Sequence, residues 1–261
     1  MTSFEKRINE KRGFLMPCLC LLAKVFGSMM NMVSKNERWH MFNAISATYD
    51  SVNRWITFGA DSHWRSQLVA RIPNSARYLV DVAAGTMDVA IAAAKQCPQL
   101  IRITALDMAQ HMLAIGDEKC KKTGVQNVES LVADVHRLPM AKNSVDAITV
   151  AFGIRNFEHL DVAFLDMHRV LAPGAPLLIL ESCQPKQGVL RQLNRWYLRW
   201  WVQPIGGWLS GKADAYAYLS DSIDEFHSPE TLRGMLINAG FSSVTTTYFM
   251  AQSVQLIHAV K

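Results

Sequence analysis

Three carboxylates stand at the ends of three successive apolar runs. Asp81 and then Gly85-Thr86 belong to the end of Tyr78–Val82, Asp107 ends the run 101–106, and Asp134 follows Val128–Val132. An acid about 20 residues past a small-residue turn can accept both hydroxyls of a ribose. A carboxylate at the next run's end can accept from an exocyclic amine. Together the three suit an adenosine held through hydroxyl and amine contacts, although Asp107 alone could simply cap the helix that follows it. Neither GxGxxG nor GxxxxGK[ST] occurs, which disfavours a dinucleotide or a triphosphate. A fourth run, 145–152, opens into Gly153-Ile154-Arg155-Asn156. Arg155 is always charged and can position an oxyanion or an ordered water. Its plainer use is a salt bridge to a nearby carboxylate. The histidines are scattered, and none stands at metal-ligand spacing with another histidine or a cysteine, so no metal site is expected. No Ser-His-Asp order stands out.

The elements that must hold these groups alternate. Tyr78–Val82 reads as a buried strand that turns through Ala83-Ala84-Gly85-Thr86 into a helix rich in alanine. Such a turn presents free backbone N–H groups at a helix N-terminus, and small residues let a ligand approach them. Met87 breaks that pattern, because a third small residue is expected there. Downstream, helices over 109–122 and 161–171 separate strands over 101–106, Val128–Val132, 145–152 and 177–180. A helix over 229–239 precedes two β-like runs, 244–249 and Val254–Val260. Repeated strand–helix units predict an α/β fold, a Rossmann-like doubly wound sheet of seven strands. It is mostly parallel, with an antiparallel C-terminal edge pair. Upstream, 37–58 and 62–72 carry helical spacing.

Two segments stand apart. Residues 186–227 interrupt the alternation and hold four of the 7 tryptophans, Trp196, Trp200, Trp201 and Trp208, with Tyr197, Tyr216 and Tyr218. The spacing of Trp196, Trp200 and Trp201 predicts a helix packed on the core, an aromatic lid over a ring-containing apolar substrate, or both. Residues 1–35 form an apolar N-terminal extension with a slightly basic start. They resemble a signal sequence in outline. Lys24 interrupts a run that would need about 20 apolar residues to cross a bilayer. A cleaved signal or span, a membrane-surface helix and an extension without fixed structure are the readings this leaves open, the last two ahead of the first. Residues 36–261 make the globular domain. The whole chain has 261 residues, is 50% hydrophobic and carries a formal net charge of +5. That is ordinary for one globular domain, and the lysines and arginines form no long run, so nucleic-acid binding is not expected. The 5 cysteines include no CxxC and suit a reducing compartment.

The pieces resemble a known family. The strand with Gly85-Thr86, Asp107-Met108-Ala109 with Met112-Leu113, and Ala133-Asp134 with Leu138-Pro139 resemble class I S-adenosylmethionine-dependent methyltransferases. Met41-Phe42, Tyr49-Asp50 with Asn53, Phe58-Gly59 with Trp64-Arg65, and Phe152-Gly153-Ile154-Arg155-Asn156 resemble one branch, the ubiquinone/menaquinone biosynthesis C-methyltransferases. Pro204-Ile205-Gly206, Tyr216, Tyr218-Leu219 and Ser222-Ile223 continue that likeness, which runs from about residue 39 to the C-terminus and leaves residues 1–38 outside it.

The resemblance implies methyl transfer from S-adenosylmethionine to a carbon of a prenylated quinol or related aromatic ring, activated as its phenolate. It makes Arg155 and Asn156 the catalytic pair, with Arg155 stabilising the phenolate oxygen. It makes Tyr49, Asp81, Gly85, Thr86, Asp107, Met108, Asp134 and Val135 the cofactor-binding set. It further implies a cytoplasmic enzyme, peripheral at the inner face of the membrane through residues 14–33, and a homodimer. Three departures stand against the family pattern: Met87 in place of Gly beside the methionine half of the cofactor, Ala151 in place of Ser, and Glu181-Ser182-Cys183-Gln184 after the fifth strand. They motivate two alternatives, a non-catalytic methyltransferase-like protein binding a lipid or a quinone-pathway partner, and transfer to another aromatic acceptor.

Overall fold

The computed structural model describes residues 38–261 apart from residue 187. The expectations for residues 1–35, and the membrane contact through 14–33, lie outside the described residues. Two helices come first, α1 (Arg38–Ile56) and α2 (Ala60–Val69). The alternating part follows as β1 (Tyr78–Val82), α3 (Asp88–Gln96), β2 (Arg102–Asp107), α4 (Gln110–Thr123), β3 (Val128–Val132), β4 (Ala147–Ala151), α5 (Leu160–Val170) and β5 (Pro176–Ser182). A helical insertion comes next. It consists of α6 (Val189–Tyr197), a π-helical turn Leu198–Val202, α7 (Gln203–Ser210) and α8 (Ala213–Asp224). α9 (Pro229–Asn238), β6 (Ser243–Phe249) and β7 (Val254–Val260) end the chain.

The strands form one seven-stranded sheet in the order β3-β2-β1-β4-β5-β7-β6. β1 to β5 are parallel, β7 runs antiparallel to β5, and β6 is the antiparallel outer strand. The central strands are apolar because helices cover both faces, so alternation of polar and apolar residues is absent from β1, β4 and β5. Phe164, Met167, Leu177 and Ile179 fill one face, and Leu68, Leu79, Ile103 and Leu178 fill the other. A third cluster joins α1 to the insertion through Ile45, Val52, Leu198, Val202 and Tyr216. The chain order reverses between β1 and β4, and in such sheets the crevice beyond the strand ends at that point receives the ligand.

The backbone there is unusual. Ala83 (φ 53°), Met87 (φ 64°) and Phe152 (φ 57°) are non-glycine residues in the left-handed region, all in the two loops that leave β1 and β4. Strain of this kind concentrates at ligand sites. Gly153 is required by the same closeness, since a Cβ there would lie 2.6 Å from the Ala83 Cβ.

Candidate active site

The loop after β1 is fixed from three sides. The Gly85 N–H donates to Asp107 Oδ2 at 2.8 Å, and the Ala109 N–H donates to Asp107 Oδ1 at 2.8 Å. Asp107 thus ties the ends of β1 and β2 together. It is not the cap of α4, whose N-cap is Ala109. Burial raises its carboxyl pKa against the pull of these backbone donors. The Thr86 hydroxyl donates to Asp50 Oδ1 at 2.6 Å. Lys119 of α4 donates to Asp50 Oδ2 at 2.8 Å and to Thr86 Oγ1 at 3.1 Å, and also pairs with Asp88. α1 is thereby strapped over the loop by a network whose cation, Lys119, the sequence reading did not single out. Its signal is weak, a lysine among several on a helix.

Asp81 is 1% exposed and lies in β1. Its Oδ1 accepts from Thr149 of β4 at 2.7 Å, while Oδ2 has no partner among the described residues. Burial pushes this carboxyl up to about 7, against hydrogen bonds from Thr149 and the Ala90 backbone N–H and the nearby Arg65 charge. A buried carboxyl beside a small-residue loop suits a cationic ligand such as a sulfonium nucleoside with its ammonium group. The residues present therefore fit S-adenosylmethionine. Asp81, Gly85 and Asp107 are the groups that would hold it.

Met87, which stands where a small residue is expected, does not put its side chain into this space. The residue is fully buried and turned into the core between α3 and α4. It lies so close to Gly116 that a Cβ there would meet Met87 Cγ at 2.4 Å. A glycine on α4 makes the room that the methionine takes.

Met108 is 39% exposed at the rim. Asp134 and Val135 follow β3 at the end of the sheet. Asp134 accepts from the His136 backbone N–H at 2.9 Å and contacts His136 Nδ1 at 2.6 Å, as the cap of a short 3₁₀ turn. Val135 is a core side chain, so only its backbone is free to meet a ligand.

The second half of the site is a cleft, partly open to solvent. Its apolar walls include Ile56, Trp64, Phe152, Leu198, Val202 and Val254. Tyr49 and Arg155 also line it, whereas Asn156 stands beside it with Oδ1 accepting from Tyr218 Oη at 2.9 Å. Arg155 is 7% exposed, and its Nη1 donates to Glu181 Oε1 at 2.5 Å. Burial alone would lower the arginine pKa, but the Glu181 carboxylate outweighs it and keeps the guanidinium charged. The salt-bridge reading of Arg155 is therefore correct, and it does not exhaust the residue, since Nε is buried without a partner among the described residues.

One further charged group in the cleft escaped the sequence reading. Asp61, 3% exposed, pairs with Arg65 and accepts from Thr57 Oγ1 at 3.2 Å. Its i,i+4 spacing to Arg65 is the signal that could have found it. Arg65 also lies 5.6 Å from the centre of the Phe152 ring. The aromatic insertion meets the cleft through Asn194, Tyr197, Leu198 and Val202. The tryptophans expected there are elsewhere. Trp196, Trp200 and Trp208 are largely exposed, and only Trp201 is partly covered, stacked on Phe58 at 5.0 Å. The helix does form at the spacing expected, but another of its faces turns inward.

A parallel sheet with this strand order, a small-residue loop after β1 and an acid ending β2 define the class I S-adenosylmethionine-dependent methyltransferase fold. An S-adenosylmethionine-dependent methyltransferase from Aquifex aeolicus superposes with a TM-score of 0.55 at 18% identity, covering 75% of this chain and 88% of that one. The profile of the ubiE/COQ5 methyltransferase family matches residues 30–261, and the chain belongs to that family of S-adenosylmethionine-dependent enzymes. The match begins upstream of residue 39, where the sequence motifs start. A demethylmenaquinone methyltransferase of Thermus thermophilus is 37% identical over 203 residues, 77% of this chain and 91% of that protein. A ubiquinone/menaquinone biosynthesis C-methyltransferase of Geotalea daltonii is 35% identical over 220 residues, 82% and 92% of the two chains. With Met87 turned into the core, the non-catalytic alternative loses its main motive.

Proposed function

We propose that this protein methylates a ring carbon of a prenylated quinol in isoprenoid quinone biosynthesis. The observation that carries the proposal is Arg155. It is a charged guanidinium with one free buried donor, set in an apolar cleft beside a loop suited to a sulfonium nucleoside. The names of the relatives, which act on demethylmenaquinone or in ubiquinone and menaquinone synthesis, agree with such a substrate. S-adenosylmethionine supplies the methyl group. The chain's residues do the rest. The apolar walls hold the ring and exclude water, which strengthens every charge interaction inside. Arg155 sets its positive charge beside the ring oxygen and stabilises it as phenolate, the hydroxyl proton passing to solvent. The phenolate pushes electron density onto the carbon that takes the methyl group, with S-adenosylhomocysteine as the leaving group, and loss of that carbon's proton to solvent restores the ring. Tyr218 Oη donates to Asn156 Oδ1, which leaves the Asn156 amide N–H groups as donors. Tyr49, one residue from Asp50, bridges the cofactor loop and the cleft. A large share of the rate then comes from holding two reactants in line.

No described helix is long and apolar enough to cross a membrane. We infer that the substrate's polyprenyl tail brings the enzyme to the cytoplasmic face of the membrane as a peripheral protein. Purified protein is expected to bind S-adenosylmethionine in calorimetry and to methylate a demethylated quinol in vitro. No binding at millimolar cofactor would overturn the cofactor assignment. Cofactor binding with no product from any prenylated quinol would overturn the substrate.

A further inference from the structure

α6 and the π-helical turn that continues it carry two outward stripes. Val189, Leu193, Trp196 and Trp200 recur at i, i+4, i+7 and i+11 and are 70%, 56%, 64% and 66% exposed. Arg191, Arg195 and Arg199 recur at i, i+4 and i+8 beside them, all exposed. The opposite side, Asn194 and Leu198, is buried. Soluble proteins rarely leave so many large apolar side chains in one exposed line unless something covers it. Phe58, 70% exposed and stacked on Trp201, extends the apolar surface onto the end of α1. Charge says what the cover is. From Lys186 to Lys212 the chain carries five basic residues and no acid. Arg195 has Asp224 at 3.6 Å, whereas Arg191 and Arg199 have no ion-pair partner among the described residues.

We propose that this face of α6 docks the enzyme on an anionic lipid bilayer, with Leu193, Trp196 and Trp200 in the interface and Arg191 and Arg199 among the headgroups. Tryptophan and leucine beside arginine is the composition of helices that lie in a membrane interface. A second copy of this chain suits the face less well, since a two-fold contact would set the same arginines near each other. The inner side of α6 lines the substrate cleft, so the same helix that meets lipid forms the wall past which a polyprenyl chain enters. Only this last use rests on the substrate proposed above. The docking itself does not depend on it.

The test is co-sedimentation of the full chain with vesicles of pure phosphatidylcholine and with vesicles of equal parts phosphatidylcholine and phosphatidylglycerol. The parent is expected to favour the anionic vesicles. Arg191→Gln with Arg199→Gln is expected to weaken that binding by about fivefold for each charge removed, with little effect on neutral vesicles. Trp196→Ser with Trp200→Ser is expected to weaken binding to both. Tm and methyl transfer to a short-chain, water-soluble quinol are expected to stay at parental values in both double variants, since none of the four residues lines the cleft. A parent that ignores vesicles overturns the proposal, as do variants that bind like the parent. Parental vesicle binding with a lowered Tm in the tryptophan variant would assign the face to another segment of this chain. Parental binding with a changed oligomeric mass would assign it to a second copy. Because the vesicles contain no quinol, failure here is separate from failure of the substrate proposal.

Discussion

Replacing Arg155 with leucine tests two roles at once, and the Arg155–Glu181 pair allows them to be separated. Glu181 is fully buried and takes charge-assisted donation from Arg155 Nη1, while the Ser182 N–H donates to the same oxygen at 2.9 Å. Removing one partner of a buried ion pair strands the other and costs about 3–5 kcal/mol. At roughly 2–4 °C per kcal/mol for a domain of this size, Arg155→Leu should lower Tm by roughly 6–20 °C. Activity should fall as well, which by itself would say nothing about mechanism. Arg155→Leu combined with Glu181→Gln removes the stranded charge and keeps an acceptor for Ser182. That double variant should regain most of the lost Tm, read by calorimetry with cofactor absent. If Arg155 Nε stabilises the substrate oxygen, kcat in the double variant should stay down by about 10²–10³, the loss seen when one oxyanion donor is removed. A double variant that regains Tm together with parental kcat would show that the guanidinium serves only the fold. An unshifted Tm in Arg155→Leu would refute the burial argument.

Two other predictions follow from buried neighbours of the cofactor loop. Gly116→Ala should destabilise the protein by about 1–3 kcal/mol through overpacking against Met87. The same change should cost less in a Met87→Gly background, and urea denaturation of the four proteins in that cycle measures the coupling. Additive effects would mean that the two positions do not share the space. Asp81 gives a pH dependence of known sign. Its folded pKa of about 7 stands above its usual value of 3.8, so the folded state keeps a proton that the unfolded state has lost. Stability should therefore fall as pH rises from about 4 to 7, by an amount of order 4 kcal/mol at full effect, and Asp81→Asn should remove that component. Urea midpoints across this range decide it, and parallel curves for the two proteins would refute it. A cation bound beside Asp81 should also expel its proton. Calorimetry of S-adenosylmethionine near pH 6, in two buffers of different ionisation enthalpy, should detect that release.

The sequence by itself determined the alternating architecture. Apolar runs bounded by turn residues placed all seven strands, and the antiparallel pairing of β6 with β7 followed from the short turn between them. It also determined the family, because motifs from Met41 to Ile223 occur in the family's order and pattern matches need no geometry. The positions of Gly85, Asp107 and Arg155 at strand ends were legible for the same reason. In an open sheet the strand end is the site, and a strand end can be read from hydrophobic periodicity.

What only the tertiary structure decided was where side chains point and what they meet. Met87 read as an obstacle because the linear motif wants glycine. The structure puts its side chain over Gly116, some 30 positions away in sequence, and no local pattern links the two. Asp134 read as a ligand acceptor from its place at a strand end, and the fold adds that its Oδ1 also caps its own turn through the His136 N–H while the side chain stays half exposed. Arg155 needed Glu181 from the next strand before its charge and its free Nε could be separated. The tryptophans of α6 obey helical spacing, which fixes that they share a face. Periodicity alone cannot say whether that face meets the core or the solvent, because the answer depends on the neighbours that folding brings. Here Ile56 and Tyr197 close the inner side, and Trp196 and Trp200 are left outside.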